Sequence, residues 1–329
     1  MFGKLFTCLI LLGCCVSPPL SAAAEQDGPA QSAFALRWEN DVFGVTDANY
    51  TSGISFALLR PGEGLLGGVW DLRGPVDGHK STVYELTQLQ FTPSDINLDT
   101  PPPSDRPYAG LTYLACTTHL QREESLHSLK LITGVVGPAA GGRDVQRYSH
   151  RLLDQTSPRG WSHQLKNEPV VNFVYEYRHR YRLTPSNAAF GVELIPMGGG
   201  FLGNYLTQAQ SEVLLRIGYQ LPDDFGTTSL RGIGFLPLPR MEETSPSWGV
   251  NAFIRGGVNL VARNLALDGN TFAHSHSVDK REFVSLAEVG AVLWTGRFMT
   301  SVSYQVWEDE FNGQPVQERY GTVLLSYRY

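Results

Sequence analysis

The chain has very little cysteine. Four cysteines occur in 329 residues, and three of them (Cys8, Cys14 and Cys15) fall in the first fifteen positions. Loss of that stretch leaves Cys116 alone, so no intrachain disulfide can form and a disulfide scaffold is excluded. Charge is scarce too. Asp, Glu, Lys and Arg make up 18% of the chain, against roughly a quarter in ordinary globular domains. With 26 Lys plus Arg against 32 Asp plus Glu the balance is acidic, and no run of basic residues stands out. Nucleic acid is therefore not expected as a partner. Beyond the first 25 residues no apolar run approaches the ~18–20 residues of a membrane-spanning helix, which excludes a polytopic helical membrane protein. The Gly-x-Ser-x-Gly pattern of a nucleophile elbow is also absent, which disfavours that class of serine hydrolase.

The N-terminus is that of an exported protein. Lys4 supplies a positive charge, Leu5 to Val16 a short apolar stretch, and Ser21-Ala22-Ala23-Ala24 a small-residue cleavage site before Glu25. This predicts a signal peptide over 1–24 and a mature unit over 25–329. Leu11-Leu12-Gly13-Cys14 offers the alternative of lipoprotein processing at Cys14.

Past that segment the periodicity is nearly all two. Val171, Phe173, Tyr175 and Tyr177 alternate with Asn172, Val174, Glu176 and Arg178. Phe298, Thr300, Val302, Tyr304 and Val306 form one row, and Val323, Leu325, Tyr327 and Tyr329 another. These runs are about twice the five or six residues of a typical strand. One face is apolar with aromatics near its ends, and the other carries Asn, Gln, Glu and Arg. A soluble sandwich or closed barrel would bury the apolar face, whereas a membrane barrel turns it toward lipid and keeps polar groups inside. Export and a terminal aromatic strand favour the membrane barrel. The pattern predicts twelve antiparallel strands, at 33–42, 50–60, 81–92, 109–122, 125–137, 167–182, 186–200, 204–221, 246–266, 280–295, 297–309 and 315–329. An even number suits a bacterial single-chain barrel with both ends on the periplasmic side. Two long connections on that side, 61–80 and 222–245, fit the scheme poorly. A short helix is expected at 143–154, inside an extracellular loop, where Val145, Ser149 and Leu152 recur at helical spacing.

Three polar clusters fall at the extracellular end of this scheme. Asn40-Asp41 closes the first strand, with Asp47, Tyr50 and Thr51 after it. Asp105-Arg106-Pro107-Tyr108-Ala109-Gly110 leads into the fourth strand. Gln146 and His150 are four apart on the helix and so share a face. A neutral His can act as general base toward water. Asn40, Asp41 and Gln146 are hard oxygen donors suited to Ca²⁺, and such an ion beside the base would polarise an ester carbonyl. The same residues also suit a solvated loop. Arg106 fits either a phosphate contact or a salt bridge with Asp105, Tyr108 either substrate or the interface belt, and Thr51 either the metal or a strand partner. Glu168 would either orient His150 or face the lumen. His274-Ser275-His276 has a metal-like spacing but reads as a loop.

The motifs Trp38-Glu39-Asn40-Asp41-x-Phe43, Asp47-x-x-Tyr50-Thr51-x-Gly53 and Asp105-Arg106-Pro107-Tyr108-Ala109-Gly110 resemble the lipid A 3′-O-deacylase family of outer-membrane barrels. So do Gly137-Pro138, Gln146-x-x-x-His150, Gly160-Trp161 and Gln164-x-x-Asn167-Glu168-Pro169. The resemblance implies a twelve-stranded barrel and Ca²⁺-dependent removal of the 3′-linked acyloxyacyl chain from lipid A of lipopolysaccharide. It implies His150 as the base that activates water, with Asn40, Asp41 and Gln146 at the calcium site. The expected partners are lipopolysaccharide and outer-membrane lipids, with no obligate protein partner. An outer-membrane phospholipase and a non-enzymatic pore or surface-binding barrel are the competing readings.

Overall fold

The computed structural model describes residues 31–44, 48–154, 156–185, 188–239 and 246–329. The expected signal peptide and Asp47 lie outside the described residues. Thirteen strand segments follow one another: β1 (Ala33–Asn40), β2 (Asn49–Pro61), β3 (His79–Thr92), β4 (Ala109–Gln121), β5 (Ser125–Val136), β6 (Glu168–His179), β7 (Tyr181–Arg182), β8 (Phe190–Gly203), β9 (Leu206–Tyr219), β10 (Trp248–Asn264), β11 (Phe283–Thr295), β12 (Phe298–Trp307) and β13 (Arg319–Arg328). β6 and β7 are one barrel strand interrupted at Arg180. Both pair with β8 in a single unbroken register, Arg178 opposite Met197 and Tyr181 opposite Leu194. The sheet closes through β1 and β13, from Ala33 opposite Arg328 to Asn40 opposite Gly321. The result is the twelve-stranded antiparallel barrel that the alternation predicts, with helix α1 (Gly142–Leu153) in the third outer loop.

Alternation sorts the side chains as a membrane barrel requires. Phe56, Leu86, Leu114, Phe173, Ile217, Ile254 and Val289 project outward and exposed, forming the lipid-facing belt. The inward positions hold buried ion pairs: Lys130 to Glu85 at 2.8 Å, Arg178 to Glu176 at 2.7 Å, and Arg255 to both Glu212 at 2.7 Å and Glu288 at 2.6 Å. Each charge taken from water needs such a partner, because the isolated desolvation cost is several kcal/mol or more.

The two awkward periplasmic connections are not missing strands. The first lies against the outside of the barrel wall: Trp70 donates its indole N–H to Thr118 Oγ1 at 3.0 Å, and Thr82 donates to Gly62 O at 3.1 Å. The second turns into the lumen and fills it. Arg178 Nη1 donates to the carbonyls of Phe225 and Thr227 near the periplasmic end. Leu230 N–H then donates to Glu39 Oε1 at 2.8 Å, and Lys130 Nζ to Ile233 O at 3.1 Å. Arg328 at the periplasmic end of β13 receives the returning chain at Pro239 O, 2.9 Å away. At the summit Arg231 pairs with Glu310 and Glu318 of the last outer loop and stacks over the Trp307 ring, 4.0 Å from its centroid. A periplasmic segment is thus bolted to an extracellular loop through the whole height of the lumen.

Candidate active site

Near its extracellular end the outer wall of β1 to β4 stops being apolar. Asn40 ends the outward row Phe34, Leu36, Trp38. In β2 the register slips between Tyr50 and Ser52, a β-bulge that puts two successive residues against one partner. Tyr50 consequently points into the lumen, where its hydroxyl donates to Glu39 Oε2 at 2.8 Å, while the Thr51 hydroxyl meets that of Thr92 at 2.6 Å. Gln88, Gln90 and Thr112 occupy further outward positions of β3 and β4. Polar groups facing hydrocarbon would each cost several kcal/mol. They are not left there.

The loop over 137–167 folds back over them. Gln88 Nε2 donates to Ala140 O at 2.7 Å, and Thr112 Oγ1 donates to the same carbonyl at 2.8 Å. Helix α1 then starts in backbone contact with β4. A Cβ on Gly110 would lie 3.1 Å from Gly142 Cα, and one on Gly142 would lie 2.9 Å from Gly110 Cα and 3.0 Å from the Trp161 ring. Only this glycine pair allows the helix to sit so close to the wall. The helix therefore lies outside the barrel, between its wall and the outer leaflet, rather than over the lumen.

One stripe of α1 faces the wall: Gly142, Gln146 and His150 are buried, while Arg143, Arg147 and Tyr148 are exposed. Burying this polar stripe inverts the usual amphipathic pattern, and each member carries a partner. The His150 ring meets Thr156 O through Nδ1 at 2.6 Å. A carbonyl can only accept, so Nδ1 carries a proton in this contact. Gln146 Oε1 accepts the Trp161 indole N–H at 2.7 Å, which fixes the orientation of its amide. Its Nε2 is buried and has no hydrogen-bond partner among the described residues. Trp161 in turn packs on Tyr108, ring centroids 5.0 Å apart.

Asn40 pairs across to Ser52, Ser52 to Gln90, and Gln90 to Gly110, the residue beneath Gly142. The Asn40–Asp41 corner and the start of α1 are thus three strand spacings apart, roughly 14 Å. A helix of 12 residues is about 18 Å long and matches that row. Asp41 opens a single helical turn, Asp41–Gly44, and its Oδ2 accepts Ala48 N–H at 2.7 Å. Asn40 Oδ1 accepts Val42 N–H at 2.9 Å.

Several expected contacts lie elsewhere. Arg106 is fully buried, with Nη1 3.1 Å from Glu310 Oε2 and its guanidinium over the Phe91 ring. It belongs to the same cluster as Arg231 and has no exposed atom to offer a lipid phosphate, which corrects the expectation of substrate contact. Asp105 does not pair with that guanidinium. Its Oδ2 accepts Ser94 N–H at 2.7 Å and its Oδ1 the Arg106 backbone N–H at 2.8 Å, bracing the loop. Tyr108 is wholly buried beneath Trp161, away from any interface belt. Glu168 accepts from Asn204, Asn270, Thr271 and Phe272, so it anchors the loop after β10 rather than His150. His276 meets Pro103 O at 3.2 Å as part of a loop contact.

No cluster of three His, Cys, Asp or Glu exists among the described residues. Those at this corner offer one carboxylate, on Asp41, and amide oxygens. Asn49, adjacent to the Asp41 turn, adds a buried Oδ1 that has no hydrogen-bond partner among the described residues. An oxygen-only set of this kind fits Ca²⁺. Gln146 fits it less well than the spacing suggested, because its oxygen is engaged by Trp161. Asn49 was missed in the sequence, as were Gln88 and Thr112. Their signal was polarity at positions where strict alternation calls for lipid-facing side chains.

The profile of the family described as "Outer membrane protein LpxR" matches residues 5–329. Among solved structures the chain is similar to LpxR from Salmonella typhimurium, with a TM-score of 0.74 at 16% identity, covering 90% of this chain and 99% of that one. It is also similar to the beta domain of the Bordetella autotransporter BrkA, with a TM-score of 0.45 at 11% identity over 91% of this chain and 99% of that one. No curated protein sequence matches the chain. The low-identity likeness establishes the shared barrel, and the profile match spans nearly every residue: the chain belongs to the LpxR family of outer-membrane proteins.

Proposed function

We propose that this protein is a hydrolase of the outer leaflet that removes the 3′-linked acyloxyacyl chain from lipid A of lipopolysaccharide. The observation that carries the reading is the inverted helix: a buried stripe of Gln146 and His150 held against a polar strip on the lipid-facing side of an outer-membrane barrel. A substrate embedded in the leaflet reaches such a cleft sideways, with its ester at head-group depth.

In this mechanism the Thr156 carbonyl holds the His150 tautomer, and Nε2 takes a proton from the water that attacks the ester carbon. The oxyanion meets the Gln146 Nε2–H, a donor already in place and shielded from bulk water. The imidazolium returns the proton to the departing sugar oxygen, freeing a sugar hydroxyl and a fatty acid. Asp41, Asn40 and Asn49 would hold Ca²⁺, which when bound supplies Lewis-acid polarisation of the ester carbonyl.

The test is mass spectrometry of lipopolysaccharide after incubation with detergent-folded protein, in Ca²⁺ and in EGTA, beside His150→Gln. Loss of a 3′-linked acyloxyacyl group with wild type in Ca²⁺ alone supports the reading. Cleavage that survives the substitution removes His150 from the mechanism, and cleavage of glycerophospholipid in place of lipid A makes the protein a phospholipase. The filled lumen argues against an open pore.

A further inference from the structure

With Gln146 and His150 turned to the wall, the remaining faces of α1 look outward, and they are divided. At roughly 100° per residue, Arg143, Arg147 and Arg151 fall at four-residue intervals along one flank. Val145 and Tyr148 fall on the other, 39% and 61% exposed. All three arginines are exposed. Arg143 touches Asp144 at 3.3 Å, whereas Arg147 and Arg151 make no ion pair or hydrogen bond with any described residue. Inside the barrel, by contrast, guanidinium groups are paired with carboxylates, as at Arg106, Arg178, Arg216 and Arg255. Two of the three cations have no partner among the described residues, and the row lies on a helix outside the barrel at the extracellular end, where it is open to an external anion.

We propose that the arginine row Arg143, Arg147 and Arg151 docks the phosphate groups of an outer-leaflet glycolipid of the lipid A type, so that the helix carrying His150 also captures the substrate's head group. The geometry is that of an interfacial helix, with the apolar flank in the acyl layer and the basic flank at the phosphates. Guanidinium groups pair bidentately with phosphate oxygens, which lysine would do only as a point charge. Arg106, buried in the barrel, does not do this; the exposed row takes that part. The proposal rests on the lipid A reading for the identity of the lipid, but not on its being cleaved.

Native mass spectrometry of the detergent-folded protein reads lipid retention separately from turnover. Wild type and the triple variant Arg143→Gln/Arg147→Gln/Arg151→Gln are each presented with bisphosphorylated lipid A, fully dephosphorylated lipid A, phosphatidylglycerol and inorganic phosphate. The expected result is preferential retention of bisphosphorylated lipid A by wild type, about fivefold weaker for each charge removed, and equal retention of the dephosphorylated form by both proteins. In turnover the variant should show a raised KM with kcat unchanged. Equal retention of bisphosphorylated lipid A by both proteins overturns the proposal. So does equal retention of phosphatidylglycerol and lipid A by wild type, which makes the row a general anionic-lipid contact. Phosphate-dependent retention without any deacylation leaves the docking row standing and defeats the hydrolase reading instead.

Discussion

In the proposed mechanism His150 and Gln146 have different parts, and point changes separate them. His150→Gln keeps a hydrogen-bonding side chain but removes the base, so kcat should fall by about 10² to 10⁴ while the folded barrel survives on a semi-native gel. Gln146→Leu preserves bulk and deletes the Nε2–H donor. Its expected effect is a kcat loss of about 10² to 10³ with little change in KM. A fall in KM-dependent binding alone would place Gln146 outside the transition state. Arg106 should behave oppositely. Arg106→Met removes one of the two guanidinium groups on Glu310 and leaves Arg231 as the other, so stability should drop by about 1.5–3 kcal/mol, read as a lower temperature for loss of the folded band. The KM measured on the protein that remains folded should not change.

Helix α1 is held to the wall by a glycine contact and an aromatic brace rather than by a hydrophobic face. Gly142→Ala brings a methyl within 2.9 Å of the Gly110 backbone, so the helix must lift off the strand. Activity should fall at least tenfold with the barrel's heat resistance unchanged, because the strand ladder does not depend on the loop. Trp161→Phe keeps the packing on Tyr108 and deletes the 2.7 Å bond to Gln146. A milder loss is expected there, confined to kcat. The arginine row belongs to the same scale. Spread at every fourth position, its members form no basic run in the sequence, and only helical geometry gathers them on one flank.

Across the whole molecule, the luminal segment and the outer loops are joined by Arg231 between two carboxyls of unequal character. Burial alone would raise both. Arg231 and Arg106 overcome it for Glu310, which is held down to about 2, whereas Glu318, facing the Glu310 charge as well, is pushed up to about 8. A carboxyl whose folded value is raised binds its proton more tightly in the native state. Its contribution is complete below the unfolded value near 4.5 and is lost as pH rises toward 8. Glu310 acts in reverse and weakens the fold only as pH falls from about 4.5 toward 2. The temperature at which the folded band disappears should therefore decline between about pH 5 and pH 8, and Glu318→Gln should flatten that decline. An unchanged slope in the variant would assign it to other groups. The same packing should keep wild-type conductance in planar bilayers far below that of an open barrel.

Sequence alone determined twelve strands and their two faces through the alternation, a membrane barrel through the added signs of export and a terminal aromatic strand, and a helix in the third outer loop through a change of period. The motifs, not the alternation, singled out His150, Gln146, Asn40 and Asp41 as candidates at the extracellular end. Strand order alone placed these groups at one end of the barrel, but not on which side of its wall. That side was decided by the Gly110–Gly142 contact and the bulge at Thr51, which depend on backbones far apart in the chain. The fate of Arg106, Glu168 and the 222–239 segment was likewise tertiary. An arginine or glutamate in a loop looks the same in sequence whether it meets water, lipid phosphate or a buried partner, and only the packed lumen shows which desolvated charge it had to neutralise.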